Sequence, residues 1–190
     1  YELTFGRGAE DDMPPLTLTL PSGEEVYLRG RIDRVDTMEY EGSTYVRIID
    51  YKSGSKELDI SDIYYGLQIQ LLIYLEALLA NSERILKGES IPGAILYFRI
   101  DDPIVKGRPD FSEEKIQEEI MKKLKLKGLL LKDAKIIKEM DKTMTSISLI
   151  IPAKLNKDDT LSKTSSAITI EQFEILRDYV RESLVKLCDE

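Results

Sequence analysis

Hydrophobic and polar residues alternate with period two along several short stretches of this chain and recur at intervals of three and four along others. The first kind places side chains on alternate faces of a strand, the second on one stripe of a helix. YELTFG at the start reads as a short strand, and GRGAEDDMPP after it reads as a loop from its Gly, Pro and acidic content. LTLTLP, from Leu16 to Pro21, alternates strictly; PSGEE then turns the chain into a second strand, VYLRGRIDRVD. Gly30 in that strand marks either a bulge or a close approach by other atoms. Two further apolar, β-branched runs flank Tyr40-Glu41-Gly42-Ser43 and predict a hairpin.

A two-residue loop at Glu41 and Gly42 fixes the register of that hairpin. It sets Val35 opposite Ile48, Thr37 opposite Val46 and Asp36 opposite Arg47, all favourable pairs. The same register carries Asp33 to the place opposite Asp50. Asp33, Val35, Ile48, Asp50 and Lys52 then share one face. A loop longer by one residue would part the two aspartates onto opposite faces.

Downstream, Ser61 and Asp62 open a helix expected to run to about Asn81, with Ile63, Leu67, Gln70, Leu71, Tyr74, Leu75 and Leu78 on one stripe. Ile91 to Ile100 is a compact apolar run bounded by turn residues, the pattern of a central strand buried on both faces. A helix starts at Ser112 with Glu113 and Glu114 in its first turn. TSISLIIPAKL reads as a strand and KLNKDDTLSKTSS as a mobile polar loop. Thr169 and Gln172 form a capping box opening a last helix, striped by Phe173, Leu176, Val180, Leu184 and Leu187. Strands and helices mixed in this order predict an α/β domain with a central mixed sheet flanked by helices, one domain over residues 1–190.

Composition narrows the chemistry. The 190 residues include no histidine, which excludes Ser-His and Cys-His catalytic pairs and a histidine metal site within this chain. A single cysteine, Cys188, precludes an intrachain disulfide and reads as a small apolar residue of the last helix. The net charge of −8 confines any nucleic-acid contact to a local patch. Lys122, Lys123, Lys125, Lys127, Lys132, Lys135 and Lys138 are the one dense basic stretch, read first as a solvated helix face and second as a DNA or partner surface. No run approaches membrane-spanning length, and no Walker-type loop is present.

Two carboxylates at the end of an apolar surface repel each other unless a cation stands between them. Hard oxygen donors suit Mg²⁺ or Mn²⁺, and Lys52 is available on the same face. Alone, an Asp-x-Lys pair is more often a strand-end salt bridge. A Gln70 to Tyr74 hydrogen bond is likewise ordinary at i, i+4. Arg99 could meet phosphate or pair with Asp101 or Asp102, and Glu2 is a weak candidate for an extra ligand that stays outside the expected site.

GRIDRVD, IIDYKSG and QIQLLIY, in that order and spacing, resemble the PD-(D/E)XK nuclease superfamily, which has a restriction-endonuclease-like core, and its RecB-like branch in particular. KGLLLKDAKIIKEMD, SLIIPAKLNKDDTLSK and TIEQFEILRDYV extend the likeness to the nuclease domain of AddB-type subunits of bacterial helicase-nucleases. The resemblance implies metal ligation by Asp33, Asp50 and the Tyr51 carbonyl, catalysis by Lys52, and a Gln70 and Tyr74 pair at the active site or the DNA. It implies Mg²⁺-dependent cutting of the 5′-ended DNA strand during processing of breaks for recombination, an AddA-type partner and a bacterial cytoplasmic setting. The family's early helix and its 4Fe-4S cysteines are not matched, so the sequence is expected to be an excised domain. The competing expectation is a catalytically silent nuclease-like module that clamps DNA or docks a subunit.

Overall fold

The computed structural model describes residues 2–6, 8, 13–54, 60–100, 102–105 and 112–189. In chain order the elements begin with four short strands, β1 (Leu3–Phe5), β2 (Leu16–Thr19), β3 (Glu25–Leu28) and β4 (Gly30–Ile32). The long hairpin β5 (Arg34–Tyr40) and β6 (Ser43–Lys52) follows, then three helices, α1 (Ile60–Tyr64), α2 (Gln70–Ala80) and α3 (Ser82–Leu86). The second half comprises β7 (Ser90–Arg99), α4 (Glu113–Leu124), β8 (Lys127–Leu131), α5 (Ala134–Met140), β9 (Ala167–Ile168) and α6 (Ile170–Asp189).

Five strands form the main sheet in the order β5-β6-β7-β8-β9, mixed in direction, while β1-β4 and β2-β3 make two small antiparallel pairs. The alternating side chains divide the core in two. Val35, Ile48 and Ile95 pack on the face covered by α2 and α6, and Ile49, Leu96 and Leu130 pack on the opposite face with Ile137 of α5 and with Ile151. The mixed sheet flanked by helices is the α/β class expected from the residue pattern.

The β5-β6 register is the expected one, with Val35 opposite Ile48, Asp36 opposite Arg47 and Thr37 opposite Val46. Glu41 and Gly42 both have positive φ, 49° and 82°, as the tight two-residue hairpin turn requires. The charged pair is realised: Arg47 Nη2 lies 2.5 Å from Asp36 Oδ2, and Arg34 Nε 2.8 Å from Asp36 Oδ1. β7 runs parallel to β6, and its register shifts by one residue between Val46 and Arg47, where Pro92 and Gly93 lie on β7. A bulge of this kind tolerates a proline that lacks a ladder donor.

Several expectations are corrected. The helix from Ser61 to Asn81 is two helices, broken where Gly66 takes φ 73°, and Leu67 leaves the apolar stripe to stand 71% exposed. TSISLIIPAKL is not a strand. Ser148 Oγ donates to Asp141 Oδ2 and accepts from the amides of Ile150 and Ile151, so side chain and backbone close a turn that competes with extension. The following polar segment is tied down, with Ser162 N donating to Lys154 O and Ser166 N to Pro152 O. The lysine run is divided among α4, β8, α5 and the connections between them rather than lying along one helix face. At the other end of the chain the Thr169 and Gln172 capping box forms as expected, whereas Leu187 and Cys188 of the last helix are exposed.

Gly30 is a point of close approach. A Cβ there would meet the Phe5 ring at 2.9 Å and the Tyr74 ring at 3.4 Å, and Phe5 packs edge-on against Tyr74. Phe5 is buried and has nowhere to retreat. Gly30→Ala is therefore expected to destabilise the fold by about 1–3 kcal/mol, measured by urea denaturation, and to displace Tyr74; an unchanged midpoint would show that the rings can yield.

Candidate active site

Local structure brings the acidic and basic residues together at one end of β6. Asp33 sits at the bend between β4 and β5, and its Oδ2 accepts a hydrogen bond from the Tyr51 amide at 2.9 Å. The carboxylate thus takes the place of a strand partner just before β5 begins. Within a strand the N–H and C=O of one residue point to the same side. The Tyr51 carbonyl accordingly faces the Asp33 side of the strand, while the Lys52 carbonyl faces β7 and accepts from Ile100 N.

Asp50 is only 3% exposed. Lys52 Nζ stands 2.5 Å from its Oδ2, but as an ion pair outside hydrogen-bond geometry, and Oδ2 has no hydrogen-bond partner among the described residues. Burial pushes the Asp50 carboxyl above its ordinary range; the Lys52 ammonium opposes that shift and the Asp33 charge adds to it. Lys52 Nζ donates to Gln70 Oε1 at 2.7 Å, and Gln70 Nε2 donates to the Tyr74 hydroxyl at 2.7 Å. The ordinary i, i+4 contact of α2 is made and also fixes the amide so that its oxygen faces the lysine. Burial and the Asp50 charge raise the Tyr74 phenol.

All of the residues expected at the site are brought together: Asp33, Asp50, Tyr51, Lys52, Gln70 and Tyr74. Sequence reasoning missed Tyr97. The β6-β7 register pairs it with Asp50, Lys52 Nζ lies 5.6 Å from its ring centroid, and burial together with Asp50 pushes its phenol up to about 12. Its only signal in the sequence was a polar tip inside an apolar run. Glu2 pairs with Arg31 at 3.6 Å, and Arg99 aligns with Lys52 across the sheet. The Asp101 alternative for Arg99 lies outside the described residues.

The Asp33 charge acts on Asp50 while Lys52 pairs with Asp50, so two carboxylates lie close together beside one ammonium. A buried carboxylate ion-paired to one lysine beside a second carboxylate fits a hard divalent cation, and Asp33, Asp50 and the Tyr51 carbonyl are the donors that could hold one. Among the described residues no group of three or more His, Cys, Asp and Glu side chains forms a metal site. The remaining positions of such an ion would belong to water and substrate oxygen, as is usual for Mg²⁺.

A family model for the PD-(D/E)XK nuclease superfamily matches residues 1–190. The chain is 54% identical over 189 residues to the B-type subunit of the ATP-dependent helicase/deoxyribonuclease of Clostridium perfringens (strain 13 / Type A). It is 54% identical over 190 residues to the corresponding protein of Clostridium novyi (strain NT) and 52% identical over 190 to that of Acetivibrio thermocellus. These matches cover 98–100% of this chain and 16% of the length of each relative.

Proposed function

The chain belongs to the PD-(D/E)XK nuclease superfamily, and we propose that it is a single metal-dependent nuclease domain, residues 1–190, hydrolysing DNA phosphodiester bonds at Asp33, Asp50 and Lys52. The observation that carries this reading is Asp50, a buried carboxylate with an oxygen lacking a hydrogen bond, beside a second carboxylate and a lysine. A buried carboxylate so placed, partly compensated by the Lys52 ammonium, is costly in the free protein and has a use when a cation and a phosphate arrive.

Mg²⁺, or Mn²⁺ in its place, would be held by Asp33, Asp50 and the Tyr51 carbonyl, and would supply polarisation of the phosphate and a water of lowered pKa. The chain's own residues orient the reaction. Lys52, tethered by Gln70 Oε1, presents its remaining N–H donors to the attacking water and to the phosphate oxygen on which charge develops. Tyr74, packed against Phe5, holds Gln70. Tyr97 floors the site beneath Lys52 and keeps water from that side.

The relatives' name couples a helicase with a deoxyribonuclease. On that basis we read the chain as the nuclease part of a bacterial helicase-nuclease, working in the cytoplasm with an AddA-type partner and trimming the 5′-ended strand of broken DNA for recombination. No helix among the described residues is long and apolar enough to cross a membrane. The test is incubation with 5′- and 3′-end-labelled single-stranded DNA, with Mg²⁺ or with chelator. Metal-dependent shortening from the 5′ end is the expected result; cutting that persists in chelator, or no cutting by a folded protein, would overturn the reading.

A further inference from the structure

The segment that delivers Gln70 to the site also carries two adjacent tyrosines in an unusual setting. Tyr64 and Tyr65 are 64% and 73% exposed, although large apolar rings are normally withdrawn from water. They are not loose. The Tyr64 ring stacks on Tyr179 of α6, with centroids 5.7 Å apart and planes 11° from parallel, and the Tyr179 hydroxyl donates to the Tyr64 carbonyl at 2.6 Å. Tyr65 stands edge-on to Tyr64 at 5.3 Å. The turn behind them is held by Gly66 N to Ile63 O and by Leu67 N to Asp62 O. One face of Tyr64 is thus backed by Tyr179, and both rings remain largely exposed.

Their position relative to the site is bounded by covalent geometry. Gln70 follows Tyr65 by five positions, which limits the gap between their Cα atoms to about 18 Å even for a fully extended chain. Gln70 itself touches Lys52. The tyrosines therefore lie close enough to Lys52 for a few nucleotides of unpaired strand to span the distance.

We propose that Tyr64 and Tyr65 form a stacking platform for the unpaired bases of a DNA strand entering the active site, an inference that rests on the nuclease reading above. Only unpaired bases offer the open faces that such rings recognise, and stacking tolerates any sequence because every base has a π-face. The charge of the chain favours the same occupant. A net charge of −8 gives the chain as a whole little attraction for phosphate, so contacts that do not depend on neutralising the backbone add to what a local patch supplies. Stacking supplies that kind of contact. A protein partner is the alternative occupant of an exposed aromatic patch, and the experiment separates the two.

The full protein carrying this chain is titrated, in chelator so that nothing is cut, with a fluorescent thymidine oligonucleotide and with one of equal length containing abasic sites. The Tyr64→Leu, Tyr65→Leu double variant keeps apolar bulk at the surface and removes the stacking faces. It should lose roughly tenfold more affinity for the intact strand than for the abasic one, by the same factor at low and high salt, while Tyr65→Phe retains the preference. An equal loss on both strands, no loss, or a defect confined to assembly with a partner protein would overturn the platform. The binding ratio is read without catalysis. A protein that keeps the base preference but never cuts refutes the nuclease reading alone, and one that cuts while the double variant binds normally refutes the platform alone.

Discussion

Asp50→Asn and Lys52→Ala should each lower DNA cleavage by about three orders of magnitude or more, the scale set by losing a preorganised charge at a reacting centre, while leaving the fold in place. The two differ in stability. Asp50 is buried with an oxygen lacking a hydrogen bond and its carboxyl is pushed upward chiefly by burial. Replacing it with a neutral isostere removes a charge the metal-free fold holds at a disadvantage. Asp50→Asn is expected to match or exceed the wild-type urea midpoint in chelator. Lys52→Ala deletes the ammonium that partly compensates Asp50 and lowers that midpoint. Activity and stability thus move apart for one residue and together for its neighbour. Wild-type rates in either variant would remove the site from the chemistry, and a large stability loss in Asp50→Asn would show the carboxylate to be structural.

Mg²⁺ should raise the stability of the wild-type protein by about 2.7 kcal/mol when present at a hundred times its dissociation constant, and Asp33→Asn or Asp50→Asn should abolish most of that gain. The effect carries a pH signature. The Asp50 carboxyl is raised in the folded state, so the folded protein binds more protons than the unfolded chain between the ordinary carboxylate pKa and the raised one. Its contribution in chelator is then greatest at low pH and is lost as pH rises through the raised value. Metal competes with that proton, so the Mg²⁺ increment should grow as pH rises through the same window. Thermal unfolding from pH 4 to 8, with and without Mg²⁺, measures both slopes; a Mg²⁺ increment that shrinks as pH rises would contradict ligation by this pair.

The hairpin that places Asp33 near Asp50 was legible in the residue pattern because everything that sets it is local. Alternation selects the faces, and Glu41-Gly42 selects the loop length. The capping residues Ser112 and Thr169 were legible for the same reason, each bonding an amide three residues away. Misreadings arose where a local pattern met a competing partner. Ser148 turned an apolar run toward Asp141, and Gly66 broke a helix whose hydrophobic spacing was continuous across it.

The sequence by itself determined the antiparallel hairpin with its register and the Gln70 to Tyr74 contact. Tertiary structure alone decided that Tyr97, rather than Leu96, lies beside Asp50, because the one-residue shift at Pro92 and Gly93 sets the parallel register beyond it. It also decided that Tyr74 rests against Phe5 over Gly30, and that Tyr64 stacks on a residue more than a hundred positions away. The physical reason is common to these cases. A hairpin is pinned by its own turn, whereas parallel strands and helix faces are aligned by packing between segments far apart in the chain, which local periodicity does not encode.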